Sequence, residues 1–255
     1  MKSKNILRNF NFMHKIKIMH KVDIAHESDV SRASAGTLVE QVAARLRSDV
    51  LSGHLPPLAK LKVDELQQSY GVSSSPLREA LSRLAQEGLV RADERRGFRV
   101  PALSSADLND IVRMRLMLDV QALRESMALG EDAWEADIVA SYHRLEKMEQ
   151  RYGDGPAVLD DEWMALHRDF HFALMAACPS PRQLAWSASL FDQAERYRRF
   201  SARHRQAPHS KVREHHRLMT AVLERETDTA CLLLADHIRN TQNNVEKALS
   251  RLANP

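Results

Sequence analysis

Long apolar runs are missing from this sequence: charges interrupt every stretch before the roughly 20 residues that a membrane helix needs. The basic segment MKSKNILRNFNFMHKIKIMHK at the start likewise lacks the continuous apolar region of a signal peptide. Cysteine is almost absent. Cys178 and Cys231 stand far apart without CxxC spacing, which excludes a disulfide frame and assigns the chain to a reducing, cytoplasmic compartment. Only 8 glycines and 9 prolines occur and aromatics make up 5%, while Leu, Ala, Arg and Glu dominate, so helices are favoured throughout. There is no HExxH, no glycine-rich phosphate loop and no GxSxG turn, and the chain is not read as an enzyme.

Charge is poorly balanced only locally. Residues 1–33 carry 7 Lys/Arg against 3 Asp/Glu, residues 34–103 carry 10 against 8, and residues 104–255 carry 20 against 23. A polyanion would meet the N-terminal part. Residues 1–33 show no apolar periodicity and are expected to form a disordered basic arm, or to lie upstream of a true start at Met13 or Met19.

From Thr37 the pattern becomes regular. TLVEQVAARLRSDVLSG has a helical apolar stripe ending at Gly53, and HLPPLAKLK is a turn with a short extended piece. VDELQQSYG is a short helix stopped by Gly71. GVSSSPLREALSRLAQEGLV then opens a third, with Ser73 able to cap it, Pro76 in its first turn, and Leu77, Ala80, Leu81, Leu84 and Leu89 facing a core. Next, LVRADERRGFRVP reads as two short strands around a turn containing Gly97. Helices followed by such a hairpin make a winged helix-turn-helix over residues 34–103, whose second motif helix enters the DNA major groove. Residues 104–255 show only helical periods, capped at Ser104 or Ser105. They are expected to form an all-α antiparallel bundle of about six helices, making the chain mainly α.

These motifs resemble the GntR family of bacterial transcriptional regulators, in the branch related to the fatty-acid regulator that carries a helical effector-binding domain called FCD. The N-terminal likeness rests on LRSDVLSGHL, LKVDELQQSYGVSSSPLREALSRLAQEGLV and RRGFRV. The C-terminal likeness rests on MRLMLD, DFHFAL, REHHRLMTAV and ADHI, so that residues 37–250 are covered. The resemblance implies a homodimer on a palindromic double-stranded operator, with DNA affinity controlled by a small-molecule effector, an organic acid. It places DNA contacts at Ser73, Ser74, Ser75, Arg78 and the wing around Gly97. Arg45, with Arg47, Lys60 and Lys62, reads equally as a phosphate contact or as plain surface, and Arg45 is carried in the DNA-binding set. Members commonly have arginine where this chain has Ser74. That loses a bidentate guanine contact worth about 1–3 kcal/mol of discrimination, so a different operator is expected.

The same resemblance implies a divalent metal, Zn or Ni, held by His171, His215 and His237, with His167 where the family usually has aspartate. His167 and His171 stand at i, i+4 on one helix face. His216 and Asp169 project off that face. Imidazole is a competent ligand for such ions. The alternatives are an interior histidine cluster without metal, a metal-free effector pocket, or a metal-dependent helical enzyme. Arg115 and Asp119 match family positions on the first bundle helix, either as an i, i+4 ion pair or as the receiver of an acidic effector.

Overall fold

The computed structural model describes residues 27–93, 97–151, 160–204 and 212–253. The arm expected at residues 1–33 therefore falls largely outside the described residues. The first helix, α1 (Glu27–Ser52), begins ten residues ahead of the apolar stripe that starts at Thr37. Then come β1 (Lys60–Leu61), α2 (Val63–Tyr70), α3 (Ser74–Gln86), β2 (Arg91–Asp93) and β3 (Gly97–Arg99). Leu46 of α1 and Leu77, Ala80, Leu81 and Leu84 of α3 are fully buried with Leu89 and Val100, so the leucine period does build one core.

The wing has three strands rather than two. β3 lies in the middle, antiparallel to β2 through Ala92↔Phe98 and to β1 through Leu61↔Phe98. The short extended piece before α2 supplies the third strand. Its two residues are too few to display alternation. The wing tip, residues 94–96, lies outside the described residues.

Gly71 closes α2 in the left-handed conformation, its N–H bonded to Gln67 O, as the spacing predicts. Ser73 occupies the N-cap of α3, yet its hydroxyl accepts no capping bond. A serine cap serves the second or third N–H of the helix, and the third here is Pro76, which has none. The caps of the later helices Ser104, Asp160 and Ser180 each accept from the third residue, Asp107 N, Trp163 N and Gln183 N. The hydroxyl of Ser73 is thereby left on the surface.

After Pro101 follow α4 (Ser105–Leu129), α5 (Asp132–Arg151), α6 (Asp161–Met175), α7 (Pro181–Arg203), α8 (Val212–Leu223) and α9 (Thr227–Ala253). α4 packs on α9, α7 and α6, and α5 on α6 and α8. Leu123, Ile138, Leu145, Phe170, Leu174, Tyr197 and Val222 form the buried centre.

α7 also grips the N-terminal domain. Ser189 Oγ and Gln193 Nε2 donate to Glu87 O at 3.1 and 3.0 Å, Arg196 donates to Pro101 O, and Arg203 donates to Ser52 O. Gly88 leaves room for the Gln193 contact. Its φ is +74°, and a Cβ there would come within 2.7 Å of Gln193 Nε2. Gly88→Ala is expected to cost about 1–2 kcal/mol through the left-handed backbone alone. It should also push the Gln193 amide off Glu87. Urea unfolding followed by circular dichroism checks this, and an unchanged midpoint would contradict it.

Candidate metal centre and nucleic-acid interface

The helical period of α6 puts His167 and His171 on its buried stripe with Trp163, Phe170 and Leu174, facing α8 and α9. His215 comes from α8 and His237 from α9. The four are 1%, 2%, 0% and 6% exposed, and one donor atom of each lies within 4.8 Å of the others. His167 Nε2 and His171 Nε2 are 3.1 Å apart. The Trp163 ring stacks on His167 at 4.6 Å and fixes its plane. His237 Nδ1 pairs with Glu214 Oε2 at 2.8 Å. His215 Nδ1 is 3.3 Å from Glu149 Oε1 but out of line for a hydrogen bond, and neither of its ring nitrogens has a hydrogen-bond partner.

These features fit a metal. A buried imidazole with both nitrogens unbonded is costly unless something else satisfies it. Nitrogens sharing one zinc-sized ion stand at most about 4.2 Å apart, close to the spread observed here. Burial, first, and then the neighbouring imidazoles hold His167 and His171 well below the ordinary histidine pKa. They are therefore neutral at pH 7, as ligation requires. His216 is exposed, edge-on to Tyr142 at 5.9 Å, and stands outside the cluster.

Beside the cluster lies a cationic wall. Arg115 and Asp119 on α4 form a fully buried pair, Nε to Oδ2 2.9 Å. Burial raises the Asp119 carboxyl, against the pull of Arg115. The Phe191 ring, 5.6 Å from the His171 ring, is flanked by the guanidinium of Arg115 at 4.9 Å and that of Arg198 at 4.2 Å. Sequence reasoning missed Arg198. It is buried, its Nε has no partner, and burial followed by the charge of Arg115 depresses it to about 9. Its position was the available signal, because residue 198 falls seven after Phe191, on the core stripe of α7.

On the other domain Ser73, Ser74, Ser75 and Arg78 are all exposed at the start of α3. Glu79 is taken by Arg83 at 2.7 Å, and Arg78 makes no ion pair among the described residues. Arg78 instead borders a concavity of about 550 Å³ between α3 and the wing, with Lys62, Asp93, Gly97 and Phe98. Arg45 donates to Ser69 O and lies over the Tyr70 ring at 4.4 Å. Arg47 pairs with Glu87 at 2.6 Å, on the side facing the helical domain, away from this surface. Both cysteines are free and buried, and no described helix is long and apolar enough to cross a membrane.

Comparison with known proteins gives two matching family models. The bacterial regulatory proteins of the gntR family match residues 38–100, and the FCD domain matches residues 110–240. The HTH-type transcriptional regulator BphR of Paraburkholderia xenovorans is 36% identical over 209 residues, 82% of this chain and 85% of that one. The HTH-type transcriptional repressor GlaR of Escherichia coli K12 is 34% identical over 209 residues, 80% of this chain and 94% of that one. Among solved structures, E. coli McbR/YncC superimposes with a TM-score of 0.68 at 21% identity over 84% of this chain and 98% of that one, which shows the fold. The first two of these relatives are named as transcriptional regulators.

Proposed function

We propose, from the premise that this chain belongs to the GntR family of bacterial regulators and carries an FCD domain, that it is a DNA-binding transcriptional regulator whose helical domain reads an organic acid at a metal centre. A homodimer presents two α3 N-termini to a palindromic operator. Ser73, Ser74 and Ser75 let each terminus approach phosphates and base edges closely, while Arg78 reaches furthest, aided by Arg45 and the wing at Gly97.

His167, His171, His215 and His237 would hold a divalent ion, zinc or nickel, in the cytoplasm. When bound, the ion supplies a Lewis-acidic point of attachment for a carboxylate. The chain's own part is to orient that carboxylate. Arg115, held by Asp119, and Arg198 offer donors next to the cluster in a site shielded from water, where charge-assisted bonds are strong. The observation that carries this reading is the four-histidine cluster beside two buried arginines, one with an unbonded Nε. α7 bears Arg198 on one face and, on others, the Ser189, Gln193 and Arg203 contacts with α3 and α1, so a ligand that shifts α7 acts directly on the DNA-binding domain.

Fluorescence anisotropy with operator DNA selected from a random-sequence pool tests this against a panel of mono- and dicarboxylates. At least one acid is expected to change DNA affinity several-fold in the wild type. Arg198→Gln should lower sensitivity to that acid by more than tenfold while leaving acid-free DNA binding intact. A variant that responds at wild-type concentrations would refute the assignment of Arg198.

A further inference from the structure

Glu149 on α5 is a buried carboxylate that the cluster description leaves unexplained. It is 2% exposed, its Oε2 has no hydrogen-bond partner, and no lysine or arginine pairs with it among the described residues. The group beside it is His215, whose Nδ1 is 3.3 Å from Oε1. A buried anion with no cation is strongly disfavoured. Across the cluster, Glu214 repeats the arrangement at 2.8 Å from His237 Nδ1 and accepts from Asn240 Nδ2 with its other oxygen at 3.4 Å.

Charge explains the pairing. Four neutral imidazoles contribute no negative charge to a divalent ion, and the guanidiniums of Arg115 and Arg198 flank the Phe191 ring that packs 5.6 Å from His171. An ion placed there needs anions from outside the ligand set. His167 has no such partner at Nδ1 and is oriented by stacking on Trp163 instead.

We infer that Glu149, through His215, and Glu214, through His237, are the positioning residues of the metal centre. Glu214 is hydrogen-bonded to His237 Nδ1 and Glu149 stands 3.3 Å from His215 Nδ1, so each carboxylate faces Nδ1, leaves Nε2 as the ligand nitrogen, and supplies one of two compensating negative charges. This rests on the metal reading above, and the test separates the two.

Full-length wild type, Glu149→Gln and Glu214→Gln are stripped of metal and titrated with zinc against a chromogenic chelator. Each variant is expected to bind zinc about 10–100-fold more weakly. Melting temperatures are measured with and without zinc. In the metal-free form Glu149→Gln should match or exceed the wild type, because glutamine fills the same volume and replaces a buried carboxyl that has no cation beside it, and only its zinc-induced gain should shrink. If the wild type takes up no zinc, the metal reading fails. If it binds zinc and both variants bind equally well, the metal reading stands and this inference falls. An equal loss of melting temperature with and without zinc marks Glu149 as merely structural and also overturns the inference. Should Glu149→Gln fail to fold, Glu214→Gln, at a partly exposed site, still decides the affinity question.

Discussion

His215→Ala is expected to abolish metal binding and, with it, any effect of chelator on stability. His215 is fully buried, its Nδ1 faces Glu149 at 3.3 Å, and its Nε2 has no hydrogen-bond partner, so ligation through Nε2 is the role its environment supports. Wild-type protein should carry close to one zinc or nickel per chain by elemental analysis. Binding to the folded state alone adds RT ln(1 + [L]/Kd), about 2.7 kcal/mol at a hundredfold excess over Kd. For a chain of this size that corresponds to a melting shift of roughly 5–10 °C, which chelator should remove.

Acid should release the metal as well, because a protonated imidazole cannot ligate, and it should also weaken the metal-free fold. Burial depresses His167 and His171 in the fold, so below the unfolded value of about 6.5 the unfolded chain binds more protons. Their contribution is complete above that pH and is lost as the pH falls from there toward the folded values. A metal-free wild type with a melting point indifferent to chelator would leave an interior histidine cluster, and effector binding would then rest on Arg115 and Arg198.

How much of this was legible beforehand depended on the range of the interaction. The leucine stripe of α3, the Gly71 stop and the Ser104 cap are local, and their residues announce them. The first ten residues of α1 are not legible, because ESDVSRASAG has no apolar period to mark it. β1 is invisible alone, since two residues become a strand only against Phe98 and Arg99. Ser73 failed as a capping bond for a reason that was readable in advance, the missing N–H of Pro76.

In the helical domain the i, i+4 pair His167 and His171 is a property of one helix. The approach of His215 and His237 is tertiary, and only the family likeness pointed to it. Arg198 hides inside ERYRRF, where an arginine reads as surface charge until packing buries it. Glu149 offers no local signal either, because a glutamate on an amphipathic helix is ordinarily solvated.

Arg78→Ala is expected to weaken operator binding by more than tenfold without altering the fold. Arg78 lies one turn into α3, exposed, beside the concavity under the wing, and makes no ion pair that would hold it on the protein surface. A tenfold loss corresponds to about 1.4 kcal/mol, within the range of one bidentate base contact. Arg83 provides the control: it is tied to Glu79 on the same helix, and Arg83→Ala should change affinity far less. Salt distinguishes the kind of contact. If Arg78 binds phosphate, the variant's plot of log affinity against log salt should flatten by about one unit and all sequences should lose affinity alike. If it reads a base, discrimination at one operator position should relax while the slope stays near that of the wild type. Ser74 sharpens the comparison, because serine there leaves Arg78 as the one long donor in the first two turns of α3. Ser74→Arg should therefore gain affinity for operators with guanine opposite the new side chain, and the Arg78 loss should be smaller in that background. Equal operator affinity of Arg78→Ala and wild type in anisotropy at matched salt would remove this residue from the interface.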